Sequence, residues 1–207
     1  MKKLLGFSIF LVFVLIASLT AEAKVTLPAI FSDNMVLQQN TQVNVWGKAA
    51  PGEKVTVKAS WLDKAVTAKA AANGKWTVKL KTPKAITNQS VTVSGENEIT
   101  INNVLIGEVW LCTGQSNMEF PVSRHPDVKW NTGMLNEAEE LKDADYPEIR
   151  LFHVKHQLAH EGELDDCEGE WLVCNPKNLY DFSAVGFVFG RKLYKELKMP
   201  VGLIQST

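Results

Sequence analysis

The run Val109-Trp110-Leu111-Cys112 is apolar at every position and stops abruptly at Thr113-Gly114-Gln115-Ser116-Asn117-Met118. An apolar run without alternation is the pattern of a strand buried on both faces, as in a parallel sheet covered by other layers. A small polar turn directly after such a strand lies at the carboxyl edge of the sheet, where open α/β sheets bind their ligands. The turn carries a single serine, Ser116.

Upstream, the pattern is different. Val43-Asn44-Val45-Trp46, Val55-Thr56-Val57-Lys58-Ala59-Ser60-Trp61, Ala65 to Ala70, Trp76-Thr77-Val78-Lys79-Leu80, Ser90-Val91-Thr92-Val93 and Ile99-Thr100-Ile101 all follow a two-residue period. That period places alternate side chains on opposite faces of a sheet. Pro51-Gly52, Asn73-Gly74, Pro83 and Gly95-Glu96-Asn97 separate the runs, and Asn-Gly is the strongest hairpin signal because both residues tolerate positive φ. Short strands with regular turns predict a small β-sandwich over 24–104. Trp46, Trp61 and Trp76 are expected in its core, with sugar stacking as the other use of such side chains.

Downstream of 105 the expectation is an α/β arrangement. Residues 131–143 are predicted as a short helix and 149–154 as a strand. Residues 155–180 are irregular and polar, with Trp171 as an apolar plug. The clearest helix covers 183–198, where Val185, Phe189, Leu193 and Leu197 form one stripe. Asp181 or Ser183 caps its start and Pro200 stops it; Val201-Gly202-Leu203-Ile204 is the next strand. Strand, helix, strand in this order implies a crossover in a parallel sheet. A sheet of this kind with so few strands leaves a long unpaired edge, so 105–207 reads as the first part of a larger domain.

Composition bounds the function classes. The chain has 207 residues, 45% hydrophobic and 22% charged, with a formal net charge of −1 and no block of like charges. That is globular composition with room for one large or two modest domains, and it offers no footprint for nucleic acid or an acidic membrane surface. Lys2-Lys3, the apolar run from Leu4 to Leu19 and the small-x-small Ala21-Glu22-Ala23 predict a signal peptide over 1–23, too short in its apolar part for a membrane span. The mature chain is therefore expected to be exported, periplasmic or extracellular, with no stable membrane span after leader removal. Export permits disulfides. Cys167 and Cys174 are candidates to clasp a short loop, and Cys112 sits in the apolar strand; the pattern is too sparse for a zinc site.

A serine hydroxyl needs a general base within hydrogen-bond reach and donors aimed at the developing oxyanion. The backbone N–H of Ser116 at a strand-to-helix turn supplies one donor. Gly114 allows a tight turn, and Gln115 and Asn117 add amides. Met118 breaks the G-x-S-x-G pattern of an α/β-hydrolase elbow. On these residues alone, a polar turn without chemistry stays open. Of the four histidines, His153 at a strand end and His125 shortly after the turn are candidate bases, and His156 and His160 lie in the polar loop.

The block Gly107-Glu108-Val109-Trp110-Leu111-Cys112-Thr113-Gly114-Gln115-Ser116-Asn117-Met118 resembles the first conserved block of sialate O-acetylesterases, in the SGNH hydrolase superfamily. The likeness extends to Leu27-Pro28-Ala29-Ile30-Phe31-Ser32-Asp33-Asn34-Met35-Val36-Leu37-Gln38, to Trp46 through Glu53, to Asn73-Gly74-Lys75-Trp76, to Phe182 through Arg191 and to Pro200 through Ile204. The resemblance implies an α+β multidomain protein: an N-terminal β-sandwich followed by an incomplete, flavodoxin-like α/β SGNH hydrolase domain. It implies Ser116 as the nucleophile that takes an acetyl group, with Gln115 where other SGNH enzymes carry an aspartate. The family's further oxyanion residues, a glycine and an asparagine, and its Asp-x-x-His-type base follow the last residue here, so the catalytic base is expected outside this chain and the isolated chain is expected to be inactive. No metal and no cofactor are implied. The implied substrate is an O-acetylated carbohydrate, sialic acid or a related glycan; an acetyl-xylan or other polysaccharide deacetylase, or a non-catalytic glycan-binding remnant, are the alternatives.

Overall fold

A computed structural model describes residues 24–125, 133–158 and 162–207. The leader expected over 1–23, His160 and the first two residues of the helix expected over 131–143 lie outside the described residues. Among the described residues no helix is long and apolar enough to cross a membrane.

The alternating segments form strands. After a short β1 (Val36–Gln38) they are β2 (Gln42–Lys48), β3 (Lys54–Ala59), β4 (Val66–Lys69), β5 (Lys75–Lys81) and β6 (Ile86–Ser94). β2 and β5 pair antiparallel as a two-stranded sheet. β3, β4 and β6 join a larger mixed sheet in the order β4-β3-β6. Val45, Val78 and Leu80 of the small sheet share one core with Val55, Val57, Val91 and Val93 of the large one. The strand β1 was not anticipated; it pairs parallel with Leu105, Ile106 and Gly107.

β7 (Glu98–Thr113) connects the two patterns within one strand. Its first half pairs antiparallel with β6 and its second half, from Glu108 to Thr113, pairs parallel with β10 (Val201–Ser206). The division expected between residues 104 and 105 falls inside this strand. β10 pairs parallel on its other side with β8 (Tyr146–His153), and β8 pairs antiparallel with β9 (Trp171–Cys174). The helices are α1 (Ser116–Glu119), α2 (Glu137–Lys142), α3 (Pro176–Leu179) and α4 (Ala184–Leu197).

β8 and β10 bury both faces. Ile149, Leu151, Val201 and Leu203 pack on Phe182 and Phe187 of the α4 side. Val36, Phe152 and Trp171 join the β-rich core on the other side. Trp171 opens β9 and donates from Nε1 to the Ile30 carbonyl at 2.8 Å, so the apolar plug lies in a strand rather than a loop.

Three expectations are corrected. The run Val109 to Cys112 is not buried throughout: Trp110 is 43% and Leu111 62% exposed, because among the described residues no strand pairs with Glu108–Thr113 on the side away from β10. Cys167 and Cys174 are separate free thiols, as is Cys112. Cys174 is buried in the α4-side core, which pushes its thiol up to about 12, whereas Cys167 packs against the β-rich core.

The third correction concerns α4. An apolar stripe is expected to face the core, yet of its four residues only Leu193 packs there; Val185, Phe189 and Leu197 are exposed, and Ala184, Gly186, Phe187 and Gly190 are buried. Small residues decide the contact, because the helix approaches β10 closely at Gly190. A Cβ there would lie 2.4 Å from Cδ1 of the fully buried Leu203. A Gly190→Val substitution is expected to lower stability by ~2–3 kcal/mol through overpacking, against ~1 kcal/mol for Phe189→Ser, which loses an edge-on contact with Trp110. Urea unfolding of the two variants checks this; equal losses would return the stripe to the core.

Candidate active site

The serine turn lies at the carboxyl end of β7, as expected for a ligand-binding edge of a parallel sheet. Gln115 is extended (φ −123°, ψ −153°) and its carbonyl accepts from the N–H groups of Met118 and Glu119 at 2.8 and 3.0 Å, which starts α1. Ser116 is therefore the first helical residue. N–H groups of a helix's first turn have no intrahelical acceptor, so its N–H is open to a ligand. The side chain of Ser116 is exposed, and its hydroxyl hydrogen-bonds to nothing among the described residues.

The other turn residues divide by role. Gln115 contributes its backbone carbonyl, while its side-chain amide and that of Asn117 are exposed and carry no hydrogen bond among the described residues. Gly114 does not use a positive φ. Its benefit is contact: a Cβ there would lie 3.2 Å from Cβ of Met118.

A four-residue helix has no stability of its own and must be fastened by its surroundings. The start of α4 does so. The Ala184 N–H donates to the Phe120 carbonyl at 2.9 Å, and Pro121 bridges to Ser183. Ser183 caps α4, with its Oγ accepting from the Gly186 N–H at 3.1 Å, and lies 3.4 Å from Sδ of Met118. The Ser183 N–H donates to Oε1 of Gln205 at 2.7 Å. Gln205 is fully buried in β10, in register with Cys112 on one side and His153 on the other. Among the described residues its Nε2 has no hydrogen-bond partner, nor does Oγ1 of Thr207 at the same edge. Of these supports, the sequence offered the Ser183 cap as one of two candidates with Asp181. Gln205 was missed, although an amide closing an apolar strand run was a signal.

None of the three described histidines, His125, His153 and His156, hydrogen-bonds to Ser116. His125 Nε2 is 2.6 Å from Oδ1 of Asp181, and its ring packs edge-on to Tyr180. His153 stands edge-on to Phe182, and burial pushes its imidazole below the ordinary range, with His156 lowering it further. His156 Nε2 is 3.7 Å from Oε1 of Glu119, one helical turn past Ser116. His156, Ser206 and Thr207 line a cavity of about 740 Å³ along the carboxyl edge of β8 and β10. Among the described residues no group of three or more His, Cys, Asp or Glu side chains is placed to hold a metal ion.

No family model matches the chain. It is similar to the sialate O-acetylesterase of Mus musculus, 32% identical over 199 residues, and to that of Homo sapiens, 30% identical over 195 residues. These alignments cover 86% and 85% of the chain but 35% of each relative, so the chain spans about a third of the length of the curated relatives it matches. Its fold superposes on the crystal structure of a carbohydrate acetylesterase from Xanthomonas citri with a TM-score of 0.78 and 31% identity, over 89% of this chain and 40% of that one. Along nearly its whole described length the chain corresponds in sequence to a part of the sialate O-acetylesterases and in fold to a part of a carbohydrate acetylesterase.

Proposed function

We propose that the protein carrying this chain is a serine esterase that removes O-acetyl groups from sialic acid or related glycans through an acetyl-enzyme. The observation that carries the reading is Ser116: exposed, first in a helix, and held at the carboxyl end of a parallel strand. The Ser116 hydroxyl attacks the acetyl carbonyl carbon while a base takes its proton. The Ser116 N–H donates to the developing oxyanion. Collapse of the tetrahedral species breaks the bond to the sugar oxygen, which leaves protonated, and water then releases acetate from the serine.

The base is proposed to come from residues other than the described histidines, since none of them bonds to Ser116. The unpaired edge of β7 and the exposed face of α4 support a reading in which further sheet and helix complete the hydrolase domain in the whole protein. Export to the periplasm or beyond is proposed on the leader pattern over 1–23.

A broader deacetylase acting on xylan or another polysaccharide is the second reading, favoured by the fold match to a protein described as a carbohydrate acetylesterase. Acetate release by the full-length protein from O-acetylated sialic acid and from acetylated xylan separates the two. The first reading expects at least ~10-fold higher kcat/KM on the sialic acid, a difference of about 1.4 kcal/mol in transition-state binding. A preference for xylan would replace it with the second.

A further inference from the structure

The outward face of the β2–β5 sheet carries a group of side chains that the serine chemistry does not use. Trp46 and Lys48 stand on one strand, and Lys75 and Thr77 on the other, with Trp46 in register with Thr77 and Lys48 with Lys75. Trp46 was expected in the core but is 42% exposed, whereas Trp76, one register position along on the inward face, is buried. Phe31 packs edge-on against the Trp46 ring with centroids 4.6 Å apart, which fixes the indole plane.

Two lysines directly opposite on neighbouring strands repel each other. Here one carboxylate lies between them: Asp165 Oδ2 is 2.9 Å from Lys48 Nζ and Oδ1 is 2.6 Å from Lys75 Nζ. All three side chains remain more than half exposed. Asp165 comes from the polar segment before β9, and its neighbour Asp166 accepts from the Ala29 N–H at 3.1 Å. Together with Thr26, Pro28 and Gly47 these groups line a cavity of about 310 Å³. Trp46 and Asp165 also line the larger cavity that runs to Ser206 and Thr207 at the edge beside the serine turn.

A fixed, half-exposed indole beside a carboxylate and two ammonium groups has the chemistry of sugar recognition. The C–H face of a pyranose packs on an aromatic ring. Its vicinal hydroxyls both donate and accept, so they match a carboxylate flanked by two donors. Lys48, Lys75, Asp165 and Asp166 balance in charge, which favours a neutral ring over an acidic one. We infer that the Trp46–Lys48–Lys75–Asp165 face is a carbohydrate subsite that holds one neutral pyranose of a glycan whose acetylated residue extends along the trough toward Ser116. The inference rests on the reading of the protein as acting on carbohydrate.

Isothermal titration calorimetry of this chain with xylohexaose and with 3′-sialyllactose tests it, both probes containing neutral pyranoses. Saturable binding of at least one probe is expected. Trp46→Ala is expected to raise that Kd by ~10-fold or more, and Trp46→Phe by less than ~3-fold, since an aromatic face remains. Asp165→Ala is expected to weaken binding as well, and thermal melts of each variant report whether the fold is kept. Binding that survives Trp46→Ala in a folded protein, or no binding of either probe to the parent chain, would overturn the subsite. So would an Asp165→Ala effect on melting alone, which would make the carboxylate a fastener of its own segment. Ser116→Ala is expected to leave the Kd unchanged. Failure of a fluorophosphonate to label the unsubstituted full-length protein, with sugar binding intact, would therefore count against the esterase reading and not against the subsite.

Discussion

Replacing Ser116 by alanine in the full-length protein is expected to lower acetate release from an O-acetylated glycan by ~10⁴-fold or more, while the KM changes little. The size follows from what the hydroxyl does. It forms the acetyl-enzyme, so its loss removes the covalent route and leaves only binding and oxyanion stabilisation to accelerate attack by water. The loss should fall on kcat because the exposed side chain makes no bond that a bound sugar would share. Alanine is tolerated at the first position of a helix, so folding should be untouched. Labelling by a fluorophosphonate should disappear in parallel. In the chain of residues 24–207 the same substitution should leave p-nitrophenyl acetate turnover unchanged, because no described histidine bonds to the serine oxygen. Serine-dependent turnover there would show that His125, His153, His156 or His160 acts as base. A fall of less than about tenfold in the full-length protein would remove Ser116 from the nucleophile role.

Much of this site was legible in the sequence because its parts are local. An apolar strand, a polar turn and a serine are adjacent in the chain, and the turn chemistry sets the geometry within a few residues. The two-residue period likewise marked β2 to β6 as strands, with inward and outward faces. Reading failed where distant contact decided the outcome. The stripe of α4 was real as a pattern, but periodicity cannot say which apolar face meets the sheet. Gly186 and Gly190, which have no apolar signal at all, allow the closest approach and so set the buried face. Trp46 failed for a different reason: local alternation already placed it with Asn44 and Lys48 on the outward face, opposite buried Val45, and its size outweighed that signal. The Gln205–Ser183–Met118 support spans three elements and has no local signature.

Arg150 provides the other large expected effect: Arg150→Ala should lower stability by ~3–4 kcal/mol, as for a buried charge whose partners are left unpaired. The side chain is 3% exposed in the middle of β8. Its Nε donates to the Pro147 carbonyl at 2.9 Å, one terminal nitrogen to Asn34 Oδ1 at 3.1 Å and the other to Asn103 Oδ1 at 3.2 Å. Burial pushes the guanidinium below its ordinary value, with Glu148 working in the opposite direction. Asn34 and Asn103 both hold positive φ, 69° and 54°, a conformation that asparagine tolerates better than most residues. They are joined to each other by an amide hydrogen bond of 2.7 Å. Arg150 therefore ties the parallel sheet to the loop before β1 and to the middle of β7. If that tie couples the β-rich part to the strands beneath Ser116, the parent chain should unfold in one transition by both tryptophan fluorescence and far-UV circular dichroism. Arg150→Met should then recover part of the loss, because it fills the space without burying a charge. Two separated transitions in the parent chain would make the clamp a local fastening, and an Arg150→Ala loss below about 1 kcal/mol would show that water replaces all of its bonds.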